Sequence, residues 1–356
     1  MFRILSFILI PFAIGLFFFW RRFLRRALDL FGAAGRTRTL LLWLVPLALG
    51  AAILGAFSAA GILYLHLVIL CALSGLLARF IRSPKAKRLL CSGLPALVLT
   101  LLIGLYAYVN MCTVRETDYT VSTPKPLSRP YTVVLVTDTH YGNSLNTERL
   151  TRLCADISAV HPDALLLGGD IVDESTAAEG VREIFSLFGG VKTTYGVYYV
   201  SGNHDRGTYR RGGANDIEAA LAGTGIVFLR DEAVPLGEDL LLLGRRDAGD
   251  RARVPVSELL AGQDPDRFCV ILDHQPRQYA ENAAAGADLT LSGHTHAGQI
   301  FPAGYLTTVF GSELNYGMTE RDGMHAIVSS GASGWGFPLR TSRHSEFVAV
   351  TVAPRA

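Results

Sequence analysis

The first 112 residues contain four long apolar stretches, at about 4 to 20, 40 to 58, 61 to 79 and 92 to 112, and no other feature restricts the fold as much. Each is long enough to cross a bilayer as a helix, because roughly 20 residues at 1.5 Å apiece span the hydrocarbon core. Half of the 356 residues are hydrophobic and 18% are charged, with nearly all of the apolar excess before residue 112. The expected division is a four-helix transmembrane region at 1–112, a linker at 113–130 and a domain at 131–356 large enough to bury its own core. The second and third stretches run almost together, and SAAG at 58 to 61 supplies small residues for a hairpin turn. A cleaved signal peptide is the weaker reading of the first stretch. Only Arg3 precedes it, and FFFWRRFLRR follows where a small-residue cleavage site belongs.

Basic residues set the expected orientation. Arg21, Arg22, Arg25, Arg26, Arg36 and Arg38 follow the first stretch, and Arg82, Lys85, Lys87 and Arg88 follow the third. Both loops read as cytoplasmic, so the chain after residue 112 is expected outside, on a multi-pass protein of the plasma membrane. His66 is the one ionisable side chain well inside a stretch, and it reads as structural. Residues 113 to 130 are polar with three prolines, which suits a semi-extended linker.

A formal net charge of +2 says nothing about partners, and with no basic groove interleaved with aromatics a nucleic-acid partner is not expected. The five cysteines, at 71, 91, 112, 154 and 269, contain no Cys-x-x-Cys pair, so no disulfide framework follows and a Cys154–Cys269 pair stays open.

From residue 131 on, short β-branched and aliphatic runs alternate with helix-like segments at 147 to 160 and 176 to 188, which predicts a layered α/β domain. Five of these runs end in polar bursts: Asp138 and His140, then Asp170, then Asn203 with His204 and Asp205, then His274, then His294 and His296. Strand ends are where open α/β sheets bind ligands. Five of the domain's eight histidines fall in the bursts, leaving His161, His325 and His344 as surface or structural residues. In an extended chain, side chains two apart point the same way, so His294 and His296 can aim at one object, with Gly293 and Gly298 allowing close approach.

The ordered blocks DTH (138 to 140), GD (169 to 170), GNHD (202 to 205), LDHQP around His274 and GHTH (293 to 296) resemble the calcineurin-like metallophosphoesterases over nearly all of 131 to 353. With GHTHAGQI and the membrane segment, the chain is most similar to the bacterial membrane-associated branch, where some relatives act on lipid-linked or nucleotide-linked phosphates. The resemblance implies two facing mixed β-sheets flanked by helices, with a two-metal site at the strand ends. Asp138, His140, Asp170 and His296 would hold one metal, and Asp170, Asn203, His274 and His294 the other, with Asp170 bridging. His204 would be a catalytic histidine outside the ligand set, oriented by Asp205. Thr139 departs from the apolar residue frequent there, at a position that binds no metal.

Such a pair about 3.5–4 Å apart acidifies a bridging water and clamps phosphate oxygens. Mixed carboxylate, amide and imidazole ligands suit Mn, Fe or Zn. The expected activity is therefore metal-dependent hydrolysis of phosphate esters, on a phosphorylated small molecule or a lipid-linked envelope substrate. The alternatives are a UDP-2,3-diacylglucosamine-type pyrophosphate hydrolase of lipid A synthesis and a non-catalytic metal-binding envelope module. Arg206, Arg210 and Arg211, with Asn143 similarly placed, are candidates to grip a substrate phosphate, although exposed loop arginines usually do nothing specific. GASGWGFPLR (331 to 340) resembles the loop that closes the site in relatives, with Trp335 and Phe337 either meeting an acyl or glycan part of the substrate or packing in the core, and Asp173 is expected to shape a turn.

Overall fold

The computed structural model describes residues 2–51, 58–206 and 216–355 and divides into two compact units, 1–106 and 107–356. The first unit is helical: α1 Phe2–Leu30, α2 Gly35–Ala51, α3 Ala59–Leu77, α4 Pro84–Cys91 and most of α5 Leu94–Cys112. Ser58 caps α3 by accepting the Gly61 amide at 3.1 Å. The Trp20 indole donates to the Tyr64 hydroxyl at 2.7 Å, which satisfies two polar atoms among buried apolar neighbours. His66 Nδ1 contacts the Ile62 carbonyl one turn earlier at 2.8 Å, in keeping with a structural role.

The expectation of four spans needs correction. Among the described residues, two helices are long and apolar enough to cross a membrane, α3 and α5, with mean hydropathy 2.2 and 1.8. The second half of α1 carries Arg21, Arg22, Arg25 and Arg26, which are costly in lipid, and α2 has 17 residues with Pro46 inside. Residues 52–57, part of the second expected stretch, lie outside the described residues.

The second unit is built on two six-stranded mixed sheets. The first runs β1-β12-β2-β3-β4-β5, formed by β1 Val114–Thr123, β2 Tyr131–Val136, β3 Ala164–Leu167, β4 Val197–Tyr199, β5 Val227–Phe228 and β12 Ser345–Pro354. The second runs β10-β11-β9-β8-β7-β6, formed by β6 Glu232–Leu236, β7 Leu240–Gly244, β8 Phe268–Leu272, β9 Leu289–Ser292, β10 Gly317–Arg321 and β11 Met324–Val328. Strands β2 to β5 are mutually parallel, as are β7, β8, β9 and β11.

The alternation of strand side chains explains the layers. Val133, Leu135 and Leu166 of the first sheet share one core with Leu240, Leu242, Val270 and Leu272 of the second. Val134, Val136, Leu165 and Leu167 point the other way, toward α6 Thr147–Ala159 and α7 Ala178–Gly189. The outer face of the second sheet buries Leu241, Leu243, Cys269 and Ile271. Fully burying each such side chain is worth about 1.5–3 kcal/mol, and a one-residue slip would exchange the two faces of a strand, so the register is firmly held.

Residues 114–123 are not a free linker. They form β1, paired in parallel with β12 along ten residues from Val114↔Ser345 to Thr123↔Pro354. As the sheet's edge, β1 carries charged Arg115, Glu116 and Asp118, which made it look solvated in sequence and which blunt an exposed edge. Cys154 and Cys269 are free thiols rather than a pair. Cys269 is buried, and burial pushes both thiols up to about 12.

Candidate metal centre

The parallel strands β2, β3, β4, β8 and β9 end on one side of the two sheets, and the chain turns sharply at each end. Asp138, His140, Asp170, His294 and His296 all have positive φ, between 38° and 71°. This region costs a non-glycine residue about 1–3 kcal/mol and persists only where surroundings impose it. Close approach is the reason for the neighbouring glycines. A Cβ on Gly202 would collide with the Asp170 carboxylate, and one on Gly293 with that of Asp138.

Two clusters of donors result. Asp138, His140 and His296 form one, and Asp170, His274 and His294 the other; within each, one potential ligand atom per residue lies within 4.8 Å of the rest. In the first, His296 Nε2 is 3.6 Å from Asp138 Oδ1 and the His140 and His296 rings are 5.1 Å apart. In the second, His274 Nε2 is 3.1 Å from Asp170 Oδ2 and the His274 and His294 rings are 5.1 Å apart. Asp170 Oδ2 also lies 4.0 Å from His140 Nε2, which puts this carboxylate between the clusters. Asn203 follows Gly202 in the turn where the His204 amide donates to Asp170 Oδ1 at 2.8 Å. The structure thus gathers six of the seven expected positions into two clusters, with Asn203 in the turn beside Asp170.

The donor atoms fit divalent metals. His140 Nδ1 and Nε2, His274 Nε2, His296 Nδ1 and Asn203 Oδ1 are buried without a hydrogen-bond partner among the described residues, an expensive state unless a cation takes up their lone pairs. His274 Nδ1 lies 2.9 Å from the Gly168 carbonyl, so Nε2 is the ring nitrogen left facing Asp170. His140 Nδ1 lies 3.5 Å from Asp173 Oδ2, so Asp173 supports a candidate ligand as well as shaping a turn through Ser175 and Thr176. Burial first, then His274, pushes His294 down to about 4, and burial with His140 and Arg340 keeps His296 well below its usual value. Both imidazoles are therefore neutral, the form that ligates. For Asp170, burial works against ionisation, but His274 and His140 hold its carboxyl far below the usual range. Burial likewise opposes a charge on His274, yet Asp170 raises it well above normal, as expected of a site built for positive charge beside a buried carboxylate.

The expected partnership of His204 with Asp205 needs revision. Asp205 is buried and accepts three backbone amides, from Asp170 at 2.7 Å, Gly202 at 2.8 Å and Val172 at 3.0 Å. Burial and the Asp170 charge push its carboxyl up to about 6, against the pull of those amides. Asp205 is thus a brace across the GD and GNHD turns. His204 Nδ1 instead meets Glu174 Oε2 at 2.8 Å, and Glu174 Oε1 accepts the Trp335 indole N–H at 3.2 Å. The His204 ring lies 5.0 Å from that of His140 and 5.6 Å from that of Trp335.

Glu174 went unnoticed in sequence, although an acidic pair directly after GDIV was a usable signal. Arg340 was also missed. It is fully buried and donates to the carbonyls of His296, at 3.0 Å, and Ser333, fixing the backbone behind a candidate ligand. Among the expected substrate contacts, Arg206 is paired with Asp247 at 3.3 Å and Asp250 at 3.8 Å. Asn143 donates to the Gly334 carbonyl, Trp335 borders His204, and Arg210 and Arg211 lie outside the described residues.

Comparison with known proteins agrees with this geometry. The calcineurin-like phosphoesterase family matches residues 131–298. An uncharacterized metallophosphoesterase of Helicobacter pylori is 33% identical over 235 residues, 64% of this chain and 61% of its own length. One of Aquifex aeolicus is 28% identical over 261 residues, 71% of this chain and 97% of its own. A Bos taurus transmembrane protein with metallophosphoesterase domain is 27% identical over 325 residues, 82% of this chain and 71% of its own. The chain thus spans about three fifths of the length of the Helicobacter relative.

Proposed function

We propose, on the premise that residues 131–298 match the calcineurin-like phosphoesterase family, that the chain is a membrane-anchored, two-metal phosphoesterase acting on an envelope or lipid-linked substrate. The observation that carries this reading is two donor clusters with the Asp170 carboxylate between them, and with ring nitrogens of His140, His274 and His296 that are buried without a hydrogen-bond partner among the described residues. Asp138, His140, Asp170 and His296 would hold one metal, and Asp170, Asn203, His274 and His294 the other. When bound, the pair supplies an acidified water and charge neutralisation on the phosphoryl oxygens.

The chain's own residues do the rest. Asp170 offers one oxygen to the clusters while the other accepts the His204 amide, which fixes the carboxylate's angle. His204 stands beside the centre with Glu174 behind it, a contact that orients the ring for proton donation to a leaving alkoxide. Trp335 and Glu174 form a wall against His204 that limits water at the leaving-group side.

Anchoring is supported by α3 and α5 and by the transmembrane relative. The loop between these two helices carries Arg82, Lys85, Lys87 and Arg88, which favours a cytoplasmic loop and an extracytoplasmic phosphoesterase domain. An outside domain also disfavours a cytoplasmic nucleotide-sugar substrate.

The test is metal content and hydrolysis of chromogenic mono- and diesters by the full chain, with Asp170→Asn alongside. Metal-dependent turnover that the variant loses is expected. Full metal occupancy without turnover on any phosphate ester would leave a binding module in place of an enzyme.

A further inference from the structure

Residues 300 to 311, IFPAGYLTTVFG, leave the metal centre four positions after His296 and contain no charged side chain. They fold over a short helical turn, Gly304–Thr307, and their large apolar side chains point into solvent. Val309 and Phe310 are 74% and 77% exposed, and Phe301, Tyr305 and Leu306 are exposed too. Single exposed apolar residues are ordinary, but five large ones within ten positions make a contiguous patch of the kind that marks an interaction surface.

The patch is joined to the end of an apolar helix. Residues Ala107 to Cys112, the last turns of α5, belong to the same compact unit. The Ala107 carbonyl accepts the Arg340 amide at 3.0 Å, and the Asn110 side chain donates to the Arg340 carbonyl at 3.2 Å. One residue on, the Thr341 amide donates to the Gln299 carbonyl at 3.0 Å, and Thr341 Oγ1 accepts the Phe301 amide at 3.0 Å. A few hydrogen bonds therefore connect α5 to the patch, and α5 itself exposes Tyr108 and Val109. Where a membrane span ends, the adjacent surface lies at the headgroup level. Aromatic side chains are favoured there, and uncharged segments with a basic rim bind. Arg277, whose guanidinium lies 3.5 Å from the Phe310 carbonyl, supplies such a rim.

We propose that residues 300 to 311 bed into the surface of the lipid bilayer, holding the mouth of the metal centre at the headgroup level. This rests on the reading of α5 as a membrane anchor. The coupling to the centre is direct. Gln299 donates to the carbonyls of Trp335, Phe337 and Leu339 and accepts the Trp335 amide at 3.0 Å, while Trp335 reaches Glu174. A phosphate carried on a lipid would meet His204 without leaving the membrane.

The test places the photoreactive residue benzoylphenylalanine in the full chain, reconstituted in phosphatidylethanolamine and phosphatidylglycerol vesicles. The replacements, made one at a time, are Val309, Phe310, Leu102 within α5 and Arg152 on α6, and retained metal content confirms that each variant is folded. Irradiation is expected to give lipid adducts at 102, 309 and 310 and none at 152. Lipid adducts at 102 with none at 309 or 310, or protein adducts there that reveal a second copy or another protein as occupant, overturn the inference and leave the anchor standing. Absence of lipid adducts at 102 as well removes the anchor, and the inference with it.

Discussion

His204 Nδ1 lies 2.8 Å from the carboxylate of Glu174, a residue that follows the metal-centre aspartate Asp170 by four positions on the same loop. The pair connects the histidine proposed for proton transfer to the Trp335 wall, and it makes Glu174 the residue that orients the ring.

Glu174→Gln should therefore lower kcat by about 10–100-fold while KM and metal content change little, since outer partners of this sort contribute that much. Steady-state kinetics with metal analysis read this out, and an unchanged kcat would mean that Glu174 merely fills space.

Asp205→Asn should behave differently. Its carboxylate braces three backbone amides across two turns, so the amide variant leaves one or more of those donors short of an acceptor. A loss of about 1–3 kcal/mol of stability is expected, with reduced metal retention following from it. Chemical denaturation measures the first and metal analysis the second.

Asp170→Asn removes the charge between the two clusters. Loss of at least one metal and a fall in turnover of about 100-fold or more are expected. Chelation of the wild-type chain should abolish turnover, and added Mn, Fe or Zn should restore it only where Asp170 is intact.

Gly293→Ala drives a methyl group into the Asp138 carboxylate and Thr137. Overpacking of this kind costs about 1–3 kcal/mol, and the displaced carboxylate should weaken metal binding at the cluster of Asp138, His140 and His296 before the other. Metal titration followed by calorimetry separates the two sites.

Glu346, fully buried beneath β1, should control acid stability. Burial alone would raise its carboxyl, but His344, Thr117 and the Ser330 amide bring it below the ordinary carboxylate range. The folded state thus prefers the ionised form. The contribution is complete above the unfolded pKa of about 4.3 and is lost as pH falls through the lower folded value. Glu346→Gln should lower Tm at pH 7 and flatten its decline toward pH 3, as followed by circular dichroism.

The amino-acid sequence alone determined the apolar N-terminal region and the buried strands whose ends carry the five polar bursts, while the seven ligand positions came from the resemblance of those bursts to a known family. Those features are local: an apolar run of alternating residues specifies a buried strand, and a polar burst at its end has only the sheet's rim to occupy. It could not reveal that 114–123 is a strand, because the charged alternation of an edge resembles a solvated linker until its partner β12 is known. Nor could it assign Glu174 to His204 or Asp205 to the backbone. Those choices turn on differences of an ångström between turns brought together from separate strands, and only the packing of the two sheets sets such distances.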